Sequence, residues 1–316
     1  MRFLALSLVV AAGCTDKPAD TGSASDDTGT DGGNADVFSE IINVTETATG
    51  DYSCYAGYGT WTEHTADSSC VEKVPMSGRI EDFESGDGVS AATIEVFDED
   101  TVTTEAQSSA TSDDDGNFDG LEGYTCQPWT YKAYTNPDLD ETKVTIQAHE
   151  AYGHGTAIDA DFNSVSSDTY AVIPALLGIS VDPDGGIVAG TAFDCDGEAD
   201  ENKIEGAQVI VRDADGNYPE EQEIRYFVND FPNRDQPTTS ADGLWLAVNV
   251  PPGRVTVELW AVTDDSGEPQ IVGETELDIF PDSINISNIF TGFGDGVRLP
   301  ESCLSACDAG GSDTGA

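Results

Sequence analysis

Apolar and polar residues alternate along several short stretches of the chain. Ile94 and Val96 alternate with Thr93 and Glu95, and the later stretch RVTVELWAV shows the same period of two. Because successive side chains of a β-strand point to opposite faces, this pattern predicts strands with one buried face. Asp-Gly and Gly-Asp pairs, which suit hairpin turns, separate the strands. Long helical periodicity is absent, so the pattern predicts an all-β fold built from β-sandwiches.

The chain also contains an internal repeat. SGRIEDFESGDGVSAATIEVFDED is similar to AGTAFDCDGEADENKIEGAQVIVRDADG, and the two segments carry Gly78 and Gly190 at the same place. Further on, TSDDDGNF from Thr111 matches TSADGLWL from Thr239. The two glycines are 112 residues apart, whereas solenoid repeats have periods of about 20 to 50 residues. The repeat therefore predicts two domains of one kind.

These repeated segments resemble the carboxypeptidase regulatory-like domain family, which has a transthyretin-like (prealbumin-like) sandwich fold. The resemblance rests on the glycine of the first strand, on VSAATIEVF and IEGAQVIVR, on the turn that begins with Thr-Ser, and on the strand PPGRVTVEL. It covers roughly residues 74–135 and 187–263. The resemblance implies two tandem transthyretin-like/Ig-like β-sandwich domains. It also implies a non-catalytic accessory role on an exported protein, and some related sandwiches bind starch or other glycans.

Repeat and composition together divide the chain into five segments. We expect a lipoprotein signal peptide at 1–13, a disordered acidic linker at 14–45, one sandwich at 46–175, a second at 176–300, and a flexible tail with cysteines at 301–316. The linker is rich in Asp, Thr, Gly and Ser, so it has too little apolar surface to offset the entropy of ordering.

The N-terminus predicts export. Residues 3–12 are apolar but are far fewer than the roughly 20 residues that a membrane-spanning helix needs, so they indicate a signal peptide. The sequence AAGC resembles the lipobox of bacterial lipoproteins, which implies that Cys14 becomes the acylated N-terminus. Thr15 follows where an aspartate often retains lipoproteins at the inner membrane, so we expect the outer membrane or cell surface. The alternative is an ordinary secretory signal with an unrelated cysteine.

The charge of the chain excludes some partners. There are 61 acidic residues against 12 Lys plus Arg, for a formal net charge of −49. Nucleic acids and anionic lipid surfaces require the opposite sign of charge, so we expect neither as a partner. The membrane contact that we expect is the lipid anchor, and the other expected partners are a polysaccharide or an envelope protein.

Six cysteines remain if Cys14 is lipidated. An even number in an exported chain predicts disulfides, and six cysteines allow 15 different pairings. Two of them lie close enough in sequence to pair locally. The six disulfide candidates are Cys54, Cys70, Cys126, Cys195, Cys303 and Cys307.

The stretch HEAYGH, with His149 and His154, is similar to a zinc motif but is one residue too long. Two histidines five residues apart lie on different faces of a helix and on opposite faces of a strand. An unusual metal-dependent hydrolase is therefore the least favoured function, and we expect the chain not to be an enzyme.

Aspartate-rich loops are the candidates for a cation. The loops DDDG and DCDGEAD place oxygen ligands at alternate positions, as calcium prefers. The alternative is Asp-Gly turn chemistry without any cation. The calcium ligands that we expect are Asp113, Asp115, Asp194, Asp196 and Asp200.

Trp61 is the candidate for ligand stacking, because it lies among polar and glycine residues in SCYAGYGTWTEH. We expect Trp245 and Trp260, which fall in strand patterns, to lie in the core. The sequence thus predicts a surface-displayed lipoprotein that acts as a binding, adhesion or envelope accessory module, with glycan binding as the alternative.

Overall fold

The computed structural model describes residues 41–136, 142–197, 202–219, 222–264, 267–294 and 297–307. The predicted signal peptide, Cys14 and most of the predicted linker lie outside these residues. Within them the chain forms sixteen strands, an α-helix, α1 (Ser167–Leu177), and a short 3-10 helix (Glu301–Cys303). The strands are β1 (Lys73–Asp82), β2 (Thr93–Phe97), β3 (Ser108–Thr111), β4 (Asn117–Tyr124), β5 (Trp129–Tyr134), β6 (Val144–Glu150), β7 (Ile158–Ser164), β8 (Gly186–Phe193), β9 (Gln208–Asp213), β10 (Glu223–Val228), β11 (Phe231–Asn233), β12 (Leu244–Val250), β13 (Gly253–Ala261), β14 (Gln270–Ile279), β15 (Ser283–Ile286) and β16 (Ile289–Phe290).

The first half of the chain forms a sandwich. A three-stranded sheet in the order β4-β1-β7 covers the strands β3, β2, β5 and β6. Strand β7 shows the expected alternation, since Ile158, Ala160 and Phe162 are buried. The ring of Phe162 stacks on Tyr131, with 4.1 Å between ring centroids. An aromatic core of this kind contributes both apolar burial and favourable ring geometry.

The second half repeats this arrangement with β9, β13 and β14 as the covering sheet. Val255, Val257 and Leu259 of β13 point into a core that they share with Trp245 of β12. Trp245 is therefore a core residue, as expected. Trp260 is only half-buried and lies on the other side of β13, so its placement in the core is wrong.

One long sheet joins the two halves. Strand β15 pairs in parallel with β6 on one side and with β8 on the other. The covering sheets lie on opposite faces of this long sheet. In β12, Trp245 and Ala247 face the core under β13, whereas Leu246 and Val248 face α1. In β6, Ala148 belongs to that same second core, while Gln147 accepts a hydrogen bond from Tyr131 in the first.

The repeat in the sequence corresponds to a repeat in the backbone hydrogen bonds. The Ala92 N–H donates to Oγ of Ser112, and the Ala207 N–H donates to Oγ1 of Thr239, both at 2.9 Å. The structure therefore matches Thr239 with Ser112, one residue later than the sequence alignment that paired it with Thr111. This correction shifts the alignment by one residue, so that the two turns have equal length up to Gly116 and Gly243.

The repeated glycines are required by close backbone packing. A Cβ on Gly78 would lie 1.9 Å from the carbonyl oxygen of Ala160, and one on Gly190 would lie 2.0 Å from that of Ser287. Any side chain would therefore collide with a neighbouring backbone, and both positions accept only glycine without a shift.

Three disulfides join distant parts of the chain. The pairs are Cys54–Cys195, Cys70–Cys307 and Cys126–Cys303. The oxidised state is as expected, and the local pairing that the sequence spacing allowed between Cys303 and Cys307 does not form. Each reaches instead to the first sandwich, because the segment 297–307 folds back against it and forms a small apolar cluster there.

The structure differs from the predicted segments near both ends of the described chain. Residues 301–307, expected in a flexible tail, include the fully buried Cys303. Ile42 and Val44, expected in the linker, are also buried. The predicted boundary at residue 175 falls inside α1, and the described residues from Ile42 onward belong to one compact unit. The all-β sandwich fold is confirmed, whereas the division of the chain into separate domains stays a prediction.

Candidate functional site

Helix α1 has clear local signals at both ends. Ser166 is the N-cap, and its Oγ accepts the Thr169 N–H at 3.1 Å. Gly178 ends the helix in the left-handed conformation with φ 75°, and its N–H points to the carbonyls of Ala175 and Pro174. These caps satisfy backbone groups that a short helix leaves without partners. They hold the helix in place over the long sheet.

Both faces of α1 are apolar. A surface helix normally has a polar outer face, and a helix that is apolar all round is normally buried. Among the outer residues of α1, only the one in the first turn is charged. The buried inner side chains are Thr169, Tyr170, Pro174 and Leu177, with Ile173 packed beside them, and the exposed outer residues are Asp168, Ala171, Val172, Ala175 and Leu176.

Large apolar side chains gather around this helix. Of the six large hydrophobic side chains that are exposed within the described residues, four lie on α1 or beside it. Val172 (48%) and Leu176 (60%) belong to the helix, Phe231 (70%) to β11 next to it, and Phe83 (46%) to the loop that lines the cleft beneath it. We call these four residues the α1 surface. Contiguous exposed apolar area on a monomer commonly marks an interaction site.

A cleft of about 220 Å³ lies between α1 and the long sheet. Its walls are mainly aliphatic and aromatic, and they connect directly to Phe83 at the rim. The apolar residues that line it include Ile173, Ile187, Phe227, Leu244, Ile284 and Ile286.

Three polar side chains that line the cleft are already paired with protein atoms. Gln147 accepts a hydrogen bond from Tyr131, and Oδ1 of Asn288 accepts the Thr191 N–H at 3.1 Å. The Thr169 hydroxyl donates to Glu84. Because these groups have partners, the cleft offers mainly apolar contact and little hydrogen-bonding specificity.

Tyr170 closes one side of this region. Burial and then the nearby Asp282 carboxylate raise the pKa of Tyr170 to about 12. The ammonium of Lys143 lies 4.8 Å from the Tyr170 ring centroid and 2.9 Å from Asp282. Tyr170 is therefore neutral at physiological pH and acts as a packing residue.

Trp61, the expected stacking residue, belongs to a second aromatic group. Its ring is half-buried, and the neighbouring Tyr58 is exposed. The Tyr58 and Trp61 rings meet edge to face at 83°, and the Tyr55 and Trp61 rings are tilted by 41°. These three rings do not form the flat strip that glycan stacking would favour.

Carboxylates surround this aromatic group. Glu258 points away from the core of the second sandwich yet is almost fully buried, and Arg212 binds both of its oxygens at 2.9 and 3.0 Å. Trp61 hydrogen-bonds to Glu274, whose pKa is raised by burial and by the nearby Glu258 and Glu276. The group is thus a mixed aromatic and acidic surface.

The aspartate loops are organised by backbone hydrogen bonds. Asp113 accepts the N–H groups of Asp115 and Asn117 at 2.9 and 2.8 Å, and these bonds, led by that from Asn117, lower its pKa. Asp194 is buried and accepts the N–H of Asp196 at 2.9 Å. This geometry is typical of Asp-Gly turns.

The described residues bring together no group of three acidic, His or Cys side chains suited to a metal. Asp200 lies outside the described residues. Calcium therefore stays a proposal for these loops.

The two histidines of HEAYGH have different surroundings. His149 Nε2 lies 2.7 Å from the Glu276 carbonyl oxygen, and His154 Nδ1 lies 3.5 Å from that of Cys70. His149 is the next-to-last residue of β6 and has a positive φ of 64°. The two rings thus contact separate parts of the protein.

Comparison with known proteins finds only distant similarity. The sequence matches no protein-family model and no curated protein. Among solved structures, the chain is similar to the Bacillus anthracis TIE protein (13% identity, TM-score 0.23), covering 69% of this chain and 33% of that one. It is also similar to GBS52, the minor pilin of Streptococcus agalactiae (11%, 0.22, covering 72% and 97%), and to the shaft pilin SpaA of Lactobacillus rhamnosus GG (10%, 0.21, covering 70% and 98%). This chain spans about a third of the TIE protein. TM-scores this low carry no argument about function.

The sequence did not point to the α1 surface. An apolar helix of eleven residues lacks the 3.6-residue polar period by which surface helices are found. The signals that were present were Ser166 before the helix and Gly178 after it. Within the described residues, no helix is both long and apolar enough to cross a bilayer.

Proposed function

We propose that the chain is a non-catalytic exported module, displayed at the outer membrane or cell surface through lipid on Cys14, that serves in adhesion or as an envelope accessory. Its partner in this role is an envelope protein or a polysaccharide. The observation that carries the proposal is the set of three disulfides, which join segments 141, 237 and 177 residues apart.

Such cross-links form and persist in oxidising compartments outside the cytosol. They also restrict the unfolded chain and so favour the folded state in a place without cytosolic chaperones. Because the long sheet runs from one sandwich into the other through β6 and β15, the cross-linked halves behave as one rigid element. A net charge of −49 keeps such an element in solution and suits no anionic partner.

The test is to follow the full chain in a bacterium with two membranes. We expect a membrane-impermeant amine reagent to label it on intact cells, and mass spectrometry to find an acylated Cys14 at its N-terminus. A Cys14→Ser variant is the control, and it should be exported without the lipid. An unmodified Cys14 in the native protein would contradict the lipid anchor, and a cytoplasmic chain with free thiols would contradict the whole proposal.

Glycan binding is the second candidate, because Tyr58 and Trp61 lie next to Glu274 on one surface. Aromatic faces and carboxylates are the groups that contact the apolar faces and hydroxyls of sugars. Affinity electrophoresis in gels that contain neutral polysaccharides would show retardation that Tyr58→Ala and Trp61→Ala abolish. The matched control is Phe231→Ala, which removes an exposed ring elsewhere. Equal mobility of all four proteins in every gel would exclude this candidate.

A further inference from the structure

We propose that the α1 surface is a homodimer interface, in which two copies of the chain pack their α1 helices antiparallel about a two-fold axis. This inference stands apart from the proposed function, because it requires neither the lipid nor display at the surface.

The first step is the composition of the outer face of α1. Ala171, Val172, Ala175 and Leu176 are exposed along it, although 61 acidic residues were available to cover the surfaces of this chain. Phe231 extends the apolar area beyond the helix. An apolar face of this kind is stable when another apolar surface covers it.

The second step concerns charge. The outer face has one charged residue, Asp168, in the first turn, and Arg234 lies at the other end, where its Nη2 donates to the Leu176 carbonyl at 2.9 Å. A two-fold axis across the helix reverses the direction of the second copy. Each Asp168 then comes beside the partner's Arg234, and each helix N-terminus beside a C-terminus of opposite partial charge. The surface is thus complementary to itself.

This complementarity favours a second copy over another partner. Only 12 residues of the chain are Lys or Arg, and one of them lies at the end of this apolar face. A partner without an acidic group in the matching place would leave that cation without a contact across the interface. A cationic partner would meet a single carboxylate on the whole outer face.

The third step concerns shape and size. An eleven-residue helix is about 16 Å long, and helices pack at about 8–10 Å between axes. Ala171 and Ala175 allow such an approach, while Val172 and Leu176 provide the ridge beside them. An interface made of two short helices and the flanking phenylalanines is smaller than the roughly 800 Å² per partner of a standard interface. We therefore expect a weak dimer.

The net charge of the chain predicts that this dimer becomes stronger as the salt concentration rises. Two copies that each carry −49 repel each other, and the Debye length falls from about 10 Å at 0.1 M to about 3 Å at 1 M salt. We expect the dimer fraction to rise between these salt concentrations. An interface held mainly by ion pairs would weaken instead.

The experiment is sedimentation equilibrium of the full exported chain carrying Cys14→Ser, over a range of protein and salt concentrations. We expect a monomer–dimer equilibrium whose dissociation constant rises at least about tenfold in Leu176→Glu. The matched control is Leu304→Glu, which changes the same residue type at an exposed position away from α1. Circular dichroism of each variant tests whether the fold is retained.

A charge exchange tests the antiparallel arrangement. Asp168→Arg and Arg234→Asp should each weaken the dimer, and the double variant should restore it, because the pair forms between copies. These residues lie at opposite ends of α1, so restoration cannot arise within one copy. A chain that remains monomeric at every concentration and salt would overturn the proposal and leave the α1 surface to another occupant. Dimers that Leu176→Glu does not weaken, or a double variant no tighter than the single ones, would overturn it as well.

Discussion

Replacing Cys126 and Cys303 by alanine should destabilise the protein by about 4 kcal/mol. Both side chains are buried, and their disulfide joins residues 177 positions apart. With Cys70–Cys307 intact, however, the shortest loop that this disulfide closes runs along residues 70–126 and 303–307, about 60 residues. The chain-entropy relation for a loop of that length yields about 4 kcal/mol.

The neighbouring disulfide provides a sharper test of this reasoning. In a background that already carries Cys70→Ala and Cys307→Ala, the Cys126–Cys303 bond closes its full 177-residue loop. The same relation then predicts a loss of about 5 kcal/mol, roughly 1 kcal/mol more than in the wild type. Each disulfide therefore reduces the stabilisation that the other provides, because both connect the end of the chain to the first sandwich.

Urea unfolding in non-reducing buffer measures both quantities. Trp129 and Trp245 are buried in the two sandwiches, so their fluorescence reports on each half. The m-value should also rise, since a less restricted unfolded chain exposes more surface. Circular dichroism of the folded variants is the control for a changed native state. A loss below about 1 kcal/mol, or a smaller loss in the second background, would refute the argument from the unfolded chain.

Three further changes have defined outcomes. Gly190→Ala places a Cβ 2.0 Å from a backbone carbonyl oxygen, so urea unfolding should show a free energy of unfolding lower by at least about 1–3 kcal/mol. Gly155→Ala is the control and should change the stability little, because the nearest atom lies 3.5 Å from its Cβ. Equal losses in the two variants would refute the steric argument. Burial raises the pKa of Glu274, so the stability that its protonated form contributes is present at low pH and is lost as the pH rises through the folded-state pKa. The free energy of unfolding of Glu274→Gln should therefore increase relative to that of the wild type as the pH rises. Parallel curves of stability against pH for the two proteins would contradict this prediction. After chelation, millimolar calcium should raise the thermal unfolding temperature beyond the effect of sodium chloride if the loops at 113–116 and 194–200 bind it; an equal temperature would leave them as turns.

Local patterns determined a large part of this fold. The period of two placed β2 and β13 correctly, since alternation reports directly on which face of a strand is buried. The repeated glycines marked the two places where strands approach closely. An even number of cysteines after a predicted export signal was enough to predict that they would be oxidised.

Other features required the packed chain. Helix α1 was missed because it is apolar on both faces, so no polar stripe marked it, and its caps are short signals among many serines and glycines. Strand β13 shows the expected alternation, and Trp260 lies on its outer side. The Trp260 side chain is nevertheless half-buried there. Neither feature depends on a local period.

The sequence by itself determined that this protein is an acidic, all-β chain with two similar halves, because strand alternation, turn residues and charge are properties of short segments. Only the tertiary structure decided which cysteines pair, how β15 joins β6 to β8, and that the α1 surface gathers residues from three separate segments. The physical reason is distance along the chain. Disulfide bonds, parallel strand pairs and surface patches depend on which remote segments meet, and that depends on packing the entire core.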